Sequence, residues 1–332
     1  MFHFIQNTVQ VIRYKNLLFL AFIQFAMQQF VVSPIMQKYG FEYISPNSTL
    51  YLLVAATLFI AAAGYVVNDY FDIKIDRINK PDKQIVGNSI SKKQAMLLHQ
   101  IFSGIGIVCG LILAYQLKSF SLAFLFIVVP GLLWFYSASY KRQFLTGNII
   151  VALLAGLSVL VVGITAVADL KHTYSNLVFE TTIPAEIYSW IGGFALFSFL
   201  LTLIRELVKD MQDVEGDKEM ECRTVAIVWG EKRTKILIYA LVALAITLLV
   251  FVSTQYIPFA NPLSFKYILF GLIVPLLAFC YLIFNAADTK SLHVASTFLK
   301  YIMLLGVLYS AIFYFLLAQL YGISLFNVFM IR

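Results

Sequence analysis

Long apolar runs, broken by short charged stretches, set the pattern of this chain from end to end. A helix needs roughly 17–25 mostly apolar residues to cross the hydrocarbon core of a bilayer. Nine such runs are predicted, over residues 17–36, 50–70, 94–115, 120–138, 147–168, 186–207, 235–256, 265–286 and 294–320. Short segments of alternating apolar and polar residues, which would mark a membrane β-barrel, are not the pattern here. The expected fold is therefore all-α, a polytopic membrane protein. The last run is long enough to tilt in the bilayer or to extend past it.

Composition supports that class. Of the 332 residues, 61% are hydrophobic and 12% charged, against about 25% charged in a typical soluble domain. The opening "MFHFIQNTVQVIRYKN" carries two cations and no small-residue cleavage site, so the first apolar run reads as a retained span. Cys109, Cys222 and Cys280 stand alone, without the CxxC spacing of a zinc site or the pairing of a disulfide framework. His3, His99, His172 and His293 fall on separate segments and read as interfacial or hydrogen-bonded core residues.

A net charge of +7 raises the question of an anionic partner. With a cytoplasmic N-terminus, alternating crossings put all but five of the 24 Lys and Arg residues on the cytoplasmic side. The five exceptions are Lys38, Lys118, Lys171, Lys266 and Arg332. That bias is the positive-inside distribution of a multi-pass protein, here expected in the cell membrane. The basic excess is then topology, and nucleic acid is excluded as a partner.

The acidic residues are concentrated differently. All but five of the 17 lie in residues 68–93 and 205–235. "NDYFDIKIDR" follows the second run and "DMQDVEGDK" follows the sixth, with matched spacing. Asp69, Asp72 and Asp76 correspond to Asp210, Asp213 and Asp217, and a cation, Arg77 or Lys218, closes each set. Four crossings separate the two stretches, so both face the cytoplasm. On a helix, residues four apart share a face, which stacks Asn68, Asp72 and Asp76 in one stripe and Asp213 and Asp217 in another.

Like charges stacked this way repel, and beside an apolar bundle they would take up protons unless a cation neutralised them. Ordinary solvated loops are also charged, but two copies of one spacing on one membrane face argue against that reading. The ligands on offer are hard oxygens with no His or Cys among them, which favours Mg2+. Mg2+ typically bridges carboxylates to substrate phosphates. Arg77, Lys80, Lys83, Lys209 and Arg223 are placed to bind the remaining phosphate oxygens. A lipid diphosphate with its tail among the spans satisfies the pattern. A third cluster, "YSASYKR" from Tyr136 to Arg142, ends the fourth run. It reads equally well as an interfacial aromatic anchor or as part of the site.

These residues resemble the intramembrane UbiA-type prenyltransferases. Asn68, Asp72 and Asp76 match that family's N-D-x-x-D-x-x-x-D motif, and Asp213 and Asp217 its second D-x-x-x-D motif. Tyr136, Lys141, Gly147 and Asn148 fit its smaller motif after the fourth helix. Within the family, "RELVKDMQDVEGDKEMECRTVAI" is most similar to the archaeal-type digeranylgeranylglyceryl phosphate synthases. Gln84 and Val86 stand where prolines are common there, Glu221 where Gly is frequent, and Lys80 and Lys83 where Arg is usual.

The resemblance implies one transmembrane domain over residues 1–332, with nine helices around a central cavity capped by cytoplasmic Asp-rich loops. It implies Mg2+-dependent transfer of a prenyl group from an allylic diphosphate to a lipophilic acceptor. The acceptor is left open between geranylgeranylglyceryl phosphate, an aromatic quinone precursor and a porphyrin. Metal ligation falls to Asn68, Asp72, Asp76, Asp213 and Asp217. Diphosphate contacts fall to Arg77, Lys83, Lys141, Lys209 and Arg223. Tyr136 is expected near the reacting carbon, and Asp69 and Asp210 hold cations or the second substrate. A transporter is the rival from another class, but transporters place ionisable groups near the midplane, whereas these spans read as nearly uncharged. A CDP-alcohol phosphatidyltransferase is disfavoured because its D-G-x-x-A-R pattern is absent.

Overall fold

The computed structural model describes residues 2–41, 47–79, 84–256, 262–325 and 329–330. Among them, nine helices are long and apolar enough to cross a membrane. In chain order the helices are α1 (Phe2–Val11), α2 (Tyr14–Lys38), α3 (Asn47–Phe71), α4 (Ile73–Asn79), α5 (Lys92–Gln116), α6 (Phe120–Ala138) and α7 (Thr146–Tyr174). They continue with α8 (Ile183–Gln212), α9 (Val214–Glu219), α10 (Val225–Tyr256), α11 (Pro262–Asn285) and α12 (Thr289–Tyr321). A two-residue antiparallel pairing, Ser324–Leu325 with Phe329–Met330, follows α12. The predicted spans all appear, several of them longer than expected.

Local chemistry explains where helices start and widen. Ser91 and Asp288 cap α5 and α12, each with a reciprocal side-chain bond from three residues on. The seventh span begins ten residues earlier than its apolar run, at Val225, and breaks once, at Gly230, where φ is 76°. Two helices contain π turns, Gln28–Val32 in α2 and Tyr267–Ile273 in α11. Pro34 and Pro275 follow these turns. A proline donates no N–H and crowds the carbonyl four residues back, here Phe30 and Gly271. A wider turn at that carbonyl relieves the clash while the helix continues.

Helices α3, α5 and α6 pack through small residues. A Cβ on Gly106 would lie 2.7 Å from Ile60, and one on Gly110 only 2.2 Å from Phe126. Lipid tails are as apolar as the side chains they touch, so such close packing is what binds helices in a bilayer. Two large apolar cores stand out among the clusters that result. One joins α2, α3, α5, α6 and α7, the other α10 and α11, and residues of α8 and α12 enter both. At the end away from the Asp-rich segments, Lys38 Nζ lies 2.9 Å from Glu186 Oε1 and 5.0 Å from the Tyr321 ring centroid. This ties α2, α8 and α12 together.

A cavity of about 340 Å³ runs along the seam between the two cores. Ile23, Met27 and Val159 line it from one core, Leu201, Leu276 and Ile302 from the other. None of the predicted metal ligands lines it.

Candidate active site

Each Asp-rich stretch sits on a helix break at the same place in its motif. Helix α3 ends at Phe71 and α4 begins at Ile73, which leaves Asp72 in the break. Helix α8 ends at Gln212 and α9 begins at Val214, which leaves Asp213 in the equivalent position. The backbone ladder nevertheless continues through both. Asp72 N donates to Asn68 O at 3.0 Å and Asp76 N to Asp72 O at 2.8 Å. Asp213 N donates to Lys209 O at 2.9 Å and Asp217 N to Asp213 O at 3.1 Å. The predicted stripes therefore form, each bent at its central aspartate.

The two bends meet. Asn79 Nδ2 donates to the Asp213 carbonyl at 3.2 Å, and its Oδ1 accepts from Gly216 N at 2.9 Å. One side chain at the end of α4 thus gives the Asp213 carbonyl a second donor and the Gly216 N–H, in the first turn of α9, its acceptor. A Cβ on Gly216 would lie 2.6 Å from the Asn79 amide, which would have to shift to admit it. Asn79 was not among the predicted residues. The signal for it is its place three residues beyond Asp76, on the Asn68–Asp72–Asp76 stripe.

Asp72 is only 4% exposed and Asp217 6%. A buried carboxylate needs a counter-charge. Asp72 Oδ2 accepts from Lys141 Nζ and, at 2.7 Å, from Asn68 Nδ2. Burial works against the Lys141 ammonium, yet the facing Asp72 carboxylate outweighs it and holds the amine protonated well above the usual lysine range. The Tyr136 side chain lies within electrostatic reach of Lys141, Glu206, Asp72 and Asp210. The third cluster is thus brought to the acidic stripes. A further contact fastens it, from Arg223 N to the Arg142 carbonyl at 2.8 Å.

The other predicted residues divide. Asp69 pairs with Arg13, Nη2 to Oδ1 at 2.8 Å, and Asp210 accepts from Asn148 Nδ2 at 2.9 Å. Lys209 bonds Glu206 at 2.5 Å, while the side chains of Arg77 and Arg223 are exposed. Lys80 and Lys83 lie outside the described residues. Arg13, Arg205 and Glu206 were missed, because a lone charge at a span end reads from sequence as membrane flanking. The expectation of nearly uncharged spans is corrected in the same way: α8 carries Arg205, Glu206, Lys209 and Asp210, and α12 carries Lys300. Glu206 pairs with Arg205 and Lys209, Asp210 accepts from Asn148, and Lys300 is exposed.

Among the described residues, no three His, Cys, Asp or Glu side chains converge as a metal cage. The donor set still fits Mg2+. It is made of hard oxygens, split between two docked caps, and Mg2+ takes a few carboxylates and completes its octahedron with water and phosphate oxygens. The ammonium of Lys141 shows that Asp72 already receives a cation.

Comparison with known proteins identifies the family. The model of the UbiA prenyltransferase family matches residues 35–302. A digeranylgeranylglyceryl phosphate synthase of Methanosphaera stadtmanae is 28% identical over 284 residues, covering 85% of this chain and 92% of that protein. A solved structure described as digeranylgeranylglyceryl phosphate synthase in membranes aligns with a TM-score of 0.64 at 22% identity. It covers 95% of this chain and 99% of its own. A UbiA homologue from Archaeoglobus fulgidus, bound to GPP and Mg2+, aligns with a TM-score of 0.55 at 15% identity. There the coverage is 92% of this chain and 99% of that one. The chain belongs to the UbiA prenyltransferase family and is a multi-pass membrane prenyltransferase.

Proposed function

We propose that this protein transfers a geranylgeranyl group from its diphosphate to the free hydroxyl of geranylgeranylglyceryl phosphate, making an ether lipid at the cytoplasmic face of the cell membrane. One observation carries the reading: two aspartate-bearing helix breaks dock on each other through Asn79, at one end of a bundle that holds an apolar cavity. The acceptor is supported by the name of the Methanosphaera relative and by the "RELVKDMQDVEGDK" run.

In this reading Asn68, Asp72 and Asp76 on one cap, with Asp213 and Asp217 on the other, hold Mg2+. The bound ions supply the positive charge that the departing pyrophosphate requires. The chain's own residues do the rest. Asn68 fixes the Asp72 carboxylate by hydrogen bonding, and Asn148 does the same for Asp210. Lys141, held protonated, supplies a fixed cation to the diphosphate. The C1–O bond to the diphosphate breaks, and the acceptor hydroxyl oxygen bonds C1 and loses its proton. Tyr136 faces the allylic carbon, where an aromatic ring stabilises developing positive charge, and the apolar walls keep water away.

The test is transfer by the purified protein from labelled geranylgeranyl diphosphate with Mg2+. The acceptor panel holds geranylgeranylglyceryl phosphate, an aromatic quinone precursor and a porphyrin. Product is expected with the first acceptor. Chelation with EDTA should stop it, and Asp72→Ala or Asp213→Ala should each lower turnover by at least about 100-fold while the protein stays inserted and folded. Near-normal turnover in either variant would overturn the metal assignment, and product from another acceptor alone would overturn the substrate.

A further inference from the structure

Four cations, from the α1–α2 junction and two helices, gather at the Asp-rich end of the cavity, apart from the aspartate stripes. Arg13 precedes α2, Arg205 and Lys209 belong to α8, and Lys300 belongs to α12. Lys300 lies within electrostatic reach of Arg205, Arg13 and Glu206, and Lys209 within reach of Arg13 and Glu206. Two carboxylates accompany them. Glu206 Oε1 accepts from Lys209 at 2.5 Å and from Arg205 Nη1 at 3.4 Å, and Asp69 pairs with Arg13. Cations still outnumber carboxylates when Asp72, which lies within electrostatic reach of Arg13, is counted with them. A phosphate monoester carries about −1.5 to −2 at pH 7.

Two further observations point to a ligand. Arg205 Nε is buried and has no hydrogen-bond partner among the described residues, a costly state for a charged donor. Lys300 is exposed, with no acidic group within 4 Å of its amine among the described residues. It sits eleven residues inside α12, roughly 16 Å from the helix start at 1.5 Å per residue.

The cluster also stands in register with the cavity. Leu201 lines the cavity one turn before Arg205, Met303 three residues after Lys300 on the same side of its helix, and Phe19 six residues after Arg13. Given the direction of each helix, the cations lie on the Asp-rich side of the apolar lining in all three. A cationic rim above an apolar hollow matches an amphiphile with a phosphate head and an isoprenoid tail.

We infer that Arg13, Arg205, Lys209 and Lys300 form a second anion site, which holds the phosphate monoester of the lipid acceptor while the aspartate caps hold the donor diphosphate. The inference rests on the proposed acceptor class. It explains why a phosphorylated glycerol lipid is selected over a neutral ring acceptor, since an excess of cations favours the ligand that can neutralise them.

The experiment separates the two claims. Binding to the full-length protein in detergent with EDTA is measured for geranylgeranylglyceryl phosphate, its dephosphorylated glycerol ether and geranylgeranyl diphosphate. Transfer is assayed in parallel with Mg2+. The wild type should bind the phosphorylated acceptor at least about 10-fold more tightly than the dephosphorylated one, the worth of a charge-assisted hydrogen bond. Lys300→Gln, an exposed change that leaves packing intact, should remove most of that difference and raise the acceptor KM with no change in the donor KM. Arg205→Gln should act in the same direction. Equal binding of the two acceptors overturns the anion site, as does unchanged binding by Lys300→Gln. A rise in donor KM alone assigns the cluster to the diphosphate and overturns it too. Absence of transfer to the phosphorylated acceptor would sink the functional reading, whereas the metal-free binding still decides the anion site.

Discussion

Asp72 shows how one residue can carry both a stability problem and its solution. At 4% exposure a carboxylate needs a counter-charge, and Lys141 supplies it from the loop after α6. Lys141→Met is therefore expected to cost about 3 kcal/mol, because one charge of a buried pair loses its partner. Its thermal midpoint in detergent should fall, and added Mg2+ should recover part of the loss by supplying a cation to the same carboxylate. A variant as stable and active as the wild type would refute this pairing. The carboxylate spacing was legible in the sequence. The partners of Asp69 and Asp210 were not, because Arg13 and Asn148 lie 56 and 62 residues away and no local periodicity links them.

At the scale of elements, the joint between α4 and α9 decides whether there is one site or two separate acidic ends. It depends on Asn79 fitting against a glycine. Gly216→Ala places a methyl group 2.6 Å from the Asn79 amide and should push the caps apart. Transfer should fall by at least about 10-fold, roughly the loss of one charge-assisted contact, with insertion intact. Gly104→Ala, where a Cβ meets nothing within 4 Å, serves as the control and should match or slightly exceed wild-type stability. Equal activity in the two variants would show that the joint has no part in catalysis. The number and order of the spanning helices were readable from apolar run lengths alone. The π turns were not, although Pro34 and Pro275 mark them, since a proline can as easily end a helix as widen it.

For the whole molecule, the distribution of Lys and Arg predicts that the Asp-rich end faces the cytoplasm. Maleimide labelling tests it in a background with Cys109, Cys222 and Cys280 replaced by Ala. An impermeant reagent applied to intact cells should label Lys171→Cys at once and Lys74→Cys only after permeabilisation. The reverse pattern would invert the topology and move the proposed chemistry to the outer face. The cavity belongs to this scale as well, because it occupies the seam between two cores that share α8 and α12.

By itself the sequence determined the features that local periodicity and composition carry: a membrane-spanning all-α chain, the number of its spans and two matched acidic helix ends. These depend on run length and on the 3.6-residue helical repeat, which any short window reveals. Only the tertiary structure decided which distant groups neutralise one another. Asn79 against Gly216, Lys141 against Asp72 and the cations around Glu206 are set by side-chain packing between helices far apart in the chain. Burial and electrostatic partnership arise from the assembled bundle, and no single segment contains them.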